Sequence, residues 1–116
     1  MLGLAEMTIL FYSEAIDMRK SIDSLCILIV EVLNKNPGDG TLFLFRNRKG
    51  NKLKALYYET NCFTIWYRRL EKGRYIFQRD IKGQIQMTKE HFQWLFASDK
   101  YSRHATTTPT AVSNFF

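Results

Sequence analysis

Residues 41–69, TLFLFRNRKGNKLKALYYETNCFTIWYRR, decide the fold of this 116-residue chain. Three short segments within them are rich in β-branched, aromatic and other apolar side chains, at residues 41–46, 53–58 and 63–69. Two turn-like stretches separate the segments, NRKGN at residues 47–51 and ETN at residues 59–61. Such short connections join antiparallel neighbours, so the pattern predicts an antiparallel meander. The side chains expected in its core are those of Phe43, Phe45, Phe63 and Ile65.

Further elements are predicted on both sides of the meander. Residues 7–12 are apolar and partly β-branched, which is typical of a first strand. Residues 18–34 carry apolar side chains at the spacing of one helix face, with Asp17 or Ser21 as the cap. Beyond the meander, strands are predicted at residues 74–78 and 84–87, followed by a helix over residues 88–97 that Thr88 caps.

These elements predict an α+β fold. We expect an antiparallel meander of about five strands, packed against one long N-terminal helix, with a short C-terminal helix. The length suits a single core, so residues 1–98 are predicted to form one domain. The apolar periodicity ends there, and residues 99–116 are expected to be a disordered tail.

The positive charge is concentrated in the middle of the chain. The formal net charge is +6, but residues 42–79 contain ten basic and two acidic residues, and the rest contains seven basic and nine acidic ones. Lysine and arginine could simply solvate the exposed face and turns of a sheet and protect its edges. Alternatively, they could neutralise the phosphates of a nucleic acid.

The second interpretation names a specific surface. Alternate turns of a meander lie at the same end of the sheet, so two basic groups are expected to merge into one patch. The predicted nucleic-acid-binding residues are Arg46, Arg48, Lys49, Lys52, Arg68, Arg69, Lys72 and Arg74, with Arg19 and Lys20 as a secondary contact.

Patterns that carry catalysis, metal binding or export are missing from the sequence. Cys26 and Cys62 have no metal-ligand spacing and are expected to be core thiols, and His91 and His104 are given no role. The acidic residues form no recognisable motif. We therefore predict no catalytic residue, no metal ligand and no cofactor. The longest strongly apolar run, residues 25–30, is too short for a bilayer span, so we expect a cytoplasmic protein without membrane contact.

Four blocks follow one another in a distinctive order: DMRK and IDSL at residues 17–25, GTLFLFRNR at 40–48, KLKALYYE at 52–59 and FTIWYRRLEKGRY at 63–75. The fourth is the most specific, because its aromatic run, basic pair and LEKGR turn occur together in few other proteins. In this order they resemble the TnpB accessory proteins of the IS66 family of bacterial insertion sequences, over about residues 7–96. Ser21 stands where the family usually has glycine, Glu59 stands where aspartate is common, and residues 100–116 resemble no part of the family.

The resemblance implies a non-catalytic accessory protein, encoded beside a separate and larger transposase and needed for efficient movement of the element. The partners it implies are DNA, the transposase and other proteins that the element encodes. Two hypotheses follow: the chain binds DNA through its basic surface, or it is a protein-interaction module that docks on the transposase without binding DNA. A third, RNA binding, lacks a recognisable signature.

Overall fold

The chain forms a five-stranded sheet with a helix packed on each face, which confirms the predicted α+β class. In a computed structural model, residues 7–77 and 83–97 are described. The elements are β1 (Ile9–Ala15), α1 (Ile22–Glu31), β2 (Leu42–Arg46), β3 (Lys52–Glu59), β4 (Cys62–Arg69), β5 (Gln84–Met87) and α2 (Lys89–Ala97). The strand order is β4-β3-β2-β1-β5.

The predicted meander is present as β2, β3 and β4, which pair antiparallel in sequence order. Glu59 pairs with Cys62, so only Thr60 and Asn61 lie between β3 and β4. Both have a positive φ, 50° and 62°, which is the left-handed backbone of the tight hairpin turns that match the twist of a sheet.

The prediction of a purely antiparallel sheet is wrong, because β1 runs parallel to β2. Ile9 pairs with Leu42, and Phe11 pairs with Leu44. A parallel neighbour requires a crossover, and α1 provides it between these two strands. The other side of β1 pairs antiparallel with β5, where Ile9 meets Met87. Residues 74–77 form a loop instead of the predicted strand, and residue 78 lies outside the described residues.

The prediction of a long N-terminal helix is also wrong, because α1 contains 10 residues. A separate turn precedes it, in which the Lys20 amide donates to the Asp17 carbonyl at 3.1 Å. Asp17 is therefore not the helix cap. Ser21 occupies the N-cap position with an extended backbone, and its carbonyl accepts from the Leu25 amide at 2.9 Å. The helix ends before Asn34, whose φ of 55° cannot continue it.

The second helix begins as predicted. The Thr88 hydroxyl oxygen accepts a hydrogen bond from the His91 amide at 3.1 Å, which satisfies one of the free amides of the first turn. With 10 and 9 residues, neither helix in the described part of the chain is long and apolar enough to cross a membrane.

Two apolar clusters lie on opposite faces of the sheet. One cluster packs α1 against the sheet and includes Leu25, Ile29, Phe43, Phe45 and Leu56. The other packs α2 against it and includes Phe11, Leu44, Leu53, Phe92 and Leu95. Phe43 and Phe45 are buried, as predicted. Phe63 and Ile65 are only half-buried, because β4 is the outermost strand.

Two further predictions concern the cysteines and the tail. Cys26 is half-buried beside the α1 cluster, but Cys62 is exposed at the start of β4, so the prediction of a core thiol is wrong for Cys62. The predicted tail, residues 99–116, lies outside the described residues, and the single-domain boundary at residue 98 stays a prediction.

Candidate nucleic-acid interface

The two basic turns meet at one end of the sheet, as predicted. The first is the turn of residues 47–51 between β2 and β3, and the second is the segment 70–75 that follows β4. The Leu70 amide donates to the Asn51 carbonyl at 2.8 Å, and the Tyr75 amide donates to the Gly50 carbonyl at 2.7 Å. These backbone hydrogen bonds hold the two segments side by side.

The first turn is internally braced by Asn47. Its Oδ1 accepts from the amides of Gly50 and Lys52, both at 3.0 Å, and its Nδ2 donates to the Asn51 side chain at 2.8 Å. Gly50 has a φ of 80° and is buried, and a Cβ there would lie 3.6 Å from the Cβ of Arg74. Any other residue would strain this backbone. The tip of the turn is therefore fixed in place.

A third segment reaches the same end because β1 is parallel to β2. The Ile16 amide donates to the Arg46 carbonyl at 2.9 Å, so the chain leaves β1 beside the start of the braced turn. The Lys54 ammonium then donates to the Lys20 carbonyl at 2.8 Å. The predicted secondary contact, Arg19 and Lys20, thus lies beside the main group.

We call these three segments, residues 14–20, 46–54 and 68–74, the basic end of the sheet. Together they contain eleven basic and three acidic residues. Six of the predicted residues are exposed in the main group: Arg48, Lys49, Arg68, Arg69, Lys72 and Arg74. Lys52 is half-buried and lies directly opposite Arg69 across β3 and β4.

Two of the exposed arginines already have carboxylate partners. Arg69 forms an ion pair with Glu71 at 3.1 Å. Arg19 binds Asp17 through two guanidinium nitrogens, with Nη2 at 2.6 Å from Oδ2. These hydrogen bonds, together with one from the Arg19 amide, hold the pKa of the Asp17 carboxyl far below its usual range. To bind a phosphate with all their donors, these arginines must exchange partners.

Arg46 differs from the other predicted residues, because its guanidinium is used within the fold. It is half-buried, its Nε donates to the Ser13 carbonyl at 2.8 Å and its Nη1 donates to the Asn47 carbonyl at 3.3 Å. Strand alternation gives no signal for this role, because residues 42–45 are all buried and both faces of β2 are therefore covered.

Lys54 is a site residue that the sequence did not single out. Its ammonium lies 5.8 Å from the centre of the Tyr67 ring, directly opposite it across β3 and β4. Partial burial lowers the pKa of Lys54, and the negative charge of Asp17 opposes this effect. Through its hydrogen bond to the Lys20 carbonyl, Lys54 joins the segment before α1 to β3.

No group of three or more His, Cys, Asp or Glu side chains among residues 7–77 and 83–97 is placed to hold a metal ion. His91 is 1% exposed, and its ring lies 5.7 Å from that of Trp94. Burial lowers the pKa of His91 to about 4, against the opposing effect of a hydrogen bond with the backbone of Ile76. It is a neutral core residue.

Comparison with known proteins assigns the family. The model of the IS66 Orf2-like proteins matches residues 7–105, so the similarity extends past residue 96, and the expectation that residues 100–116 resemble no part of the family is wrong for residues 100–105. Uncharacterized protein y4hO of Sinorhizobium fredii is 34% identical over 98 residues, which cover 83% of this chain and 84% of that protein. Uncharacterized protein y4jC of the same organism is 26% identical over 95 residues, which cover 82% and 81%. No solved structure matches the chain. The protein therefore belongs to the IS66 Orf2-like family, the TnpB accessory proteins of insertion sequences.

Proposed function

We propose that the protein assists transposition by binding DNA through the basic end of its sheet, in the cytoplasm, without cutting or joining strands itself. Family membership supports the accessory role in an insertion sequence. The observation that carries the proposal is the pair of backbone hydrogen bonds, Leu70 to Asn51 and Tyr75 to Gly50, that merges the two basic turns.

The basic end presents several cations close together on a backbone that is held in place. Phosphates follow one another at regular intervals along DNA, so a surface gains affinity when several cations are presented together. Arg48 and Lys49 lie at the tip of a turn that Asn47 braces, and Lys72 and Arg74 lie on the segment bonded to it. Since the backbone is already fixed, binding orders only the side chains. These four residues are the strongest candidates for phosphate contact.

Three of the predicted residues differ from the rest: one is not proposed to contact DNA, and two are proposed to contribute less to DNA binding. Arg46 donates to backbone carbonyls inside the fold and is proposed as a structural residue. Arg19 and Arg69 have carboxylate partners. Contact with a phosphate would weaken these ion pairs, which reduces the net contribution of the two arginines to DNA binding. We further propose the transposase and other proteins encoded by the element as partners.

The double variant Arg48→Ala, Lys49→Ala tests DNA binding. Each lost phosphate contact is expected to lower the slope of log affinity against log salt by about 0.9 for duplex DNA. At roughly 1.5 kcal/mol for each hydrogen-bonded contact to a charged group, the variant should bind on the order of a hundredfold more weakly at physiological salt. The measurement is fluorescence anisotropy with a labelled duplex at several salt concentrations.

The matched control is Lys35→Ala, Lys89→Ala, which removes the same charge from two exposed positions outside the basic end. Its affinity and salt slope should stay close to those of the wild type. If the wild-type protein does not bind DNA, or if both double variants weaken binding equally, binding through the basic end is contradicted. If the wild-type protein does not bind DNA at all, docking on an acidic surface of the transposase becomes the better account of the charge.

A further inference from the structure

Among the tyrosines and tryptophan of β3 and β4, Tyr67 alone combines high exposure with a position directly beside the basic end, next to Arg68. It is 48% exposed, whereas Tyr57 is 5% exposed and Trp66 is half-buried against it, with ring centroids 6.3 Å apart. Tyr58 packs on Phe63 at 4.8 Å, next to the hairpin turn at the opposite end of these strands.

Three cations neighbour Tyr67 on its own face of the sheet. Lys54 lies directly opposite it, with its ammonium 5.8 Å from the ring centre. One step further along the same face, Lys52 and Arg69 form the next directly opposed pair. Lys54 is held in place by its hydrogen bond to the Lys20 carbonyl.

This arrangement suits an unpaired base better than a duplex. In a duplex, each base is stacked between its neighbours, so its flat face is not available to a protein side chain. In a single strand the face is available, and surfaces that bind single strands combine cations for the backbone with aromatic rings for the bases. A tyrosine exposed among cations has both properties.

We propose that Tyr67 stacks on an unpaired base while Lys52 and Arg69 contact the flanking phosphates, so that the basic end binds single-stranded DNA as well as duplex. The inference rests on the proposed function, because it assumes that DNA reaches the basic end. It adds a chemical class of ligand: unpaired deoxynucleotides, bound through a face of the base and without a fixed sequence.

The variants Tyr67→Ala and Tyr67→Phe test the inference. Losing one stacked base costs about 1–3 kcal/mol, so Tyr67→Ala should bind an oligothymidine of about 12 nucleotides roughly five- to hundredfold more weakly. Its slope against log salt should not change, because no charge is removed. Tyr67→Phe keeps the ring and should bind as the wild type does. Anisotropy with a labelled oligothymidine and a labelled duplex of equal length gives both affinities.

Two further variants control for damage to β4. Tyr67→Thr removes the ring but keeps a residue that favours strands, and it should reproduce the effect of Tyr67→Ala. Tyr58→Ala removes a tyrosine outside the basic end and should leave affinity for oligothymidine unchanged. Thermal melts confirm that each variant is folded.

The outcomes separate this inference from the proposed function. If the wild type binds neither the duplex nor the oligothymidine, both the proposed function and the stacking inference are overturned. Binding of the wild type to duplex, with no selective loss of single-strand affinity in Tyr67→Ala and Tyr67→Thr, overturns the stacking inference alone. A selective loss in both variants, with Tyr67→Phe and Tyr58→Ala unaffected, supports it.

Discussion

The substitution Phe45→Ala should lower the free energy of unfolding by about 3–5 kcal/mol. Phe45 has no exposed surface, lies in β2 within the α1 cluster and meets the Tyr12 ring edge-on, with centroids 6.3 Å apart. Removing the ring leaves a cavity between a sheet and a helix, whose backbones cannot move together enough to fill it. Because domains of this kind are stable by about 5–15 kcal/mol in total, the loss is a large share of the whole.

Urea denaturation followed by circular dichroism measures this effect, and the melting temperature should fall by more than about 10 °C. The matched control is Ile27→Ala on α1, whose side chain is 58% exposed. It should change the free energy of unfolding by less than about 0.5 kcal/mol. If Phe45→Ala costs less than about 1 kcal/mol, the packing of α1 on the sheet is not as described.

Acidification should destabilise the protein through His91. Its pKa is about 4 in the folded state because burial disfavours the charged ring, and about 6.5 in an unfolded chain. Between these values the unfolded state binds the proton and the folded state does not, so stability is full above about pH 6.5 and falls as the pH approaches 4. The contribution lost between about pH 7 and pH 4.5 is about 2 kcal/mol.

The variant His91→Gln isolates this contribution, because it cannot take up the proton. Unfolding free energies of both proteins are measured at the two pH values, and the wild type should lose about 2 kcal/mol more than the variant. The effect of pH through all other groups is the same in both proteins, so it cancels in the difference between their losses. Equal losses in the two proteins would show that folding does not lower the pKa of His91.

The meander and its shared basic end were predictable, because both depend on local sequence. The alternation in residues 41–69 and the two short turns fix three antiparallel strands. Once the strands are placed, their number determines which turns lie at the same end. The bonds from Leu70 to Asn51 and from Tyr75 to Gly50 follow from this geometry.

The direction of β1 was missed, although the order strand, helix, strand is typical of a parallel crossover. Residues 74–77 were missed for a different reason. Tyr75 and Phe77 are apolar and favour strands, but they cover the core from a loop: Tyr75 is 4% exposed, and Phe77 stacks on Phe11 at 4.6 Å. A pattern of apolar residues indicates which side chains are buried, but it does not show whether they lie on a strand or in a loop.

Individual roles within the basic end depended on contacts between distant parts of the chain. Charge alone does not distinguish the structural cations Arg46 and Lys54 from the exposed Arg48. The distinction comes from the hydrogen bonds of Arg46 to Ser13 and of Lys54 to Lys20. Each bond joins residues more than thirty positions apart in the chain. No window of local sequence contains both partners.

The position of β1 inside the sheet, between β2 and β5, has a consequence for the order in which the protein folds during synthesis. β2, β3 and β4 can pair as soon as they are made, but β1 must wait for β2 across the crossover and for β5 at the far end of the described chain. Contacts so distant in sequence form slowly. We therefore expect the nascent protein to carry an apolar strand without its final partners until residues 84–87 have been made. Pulsed hydrogen exchange during refolding should show amides of β3 and β4 protected before those that join β1 to β5; simultaneous protection would contradict this order.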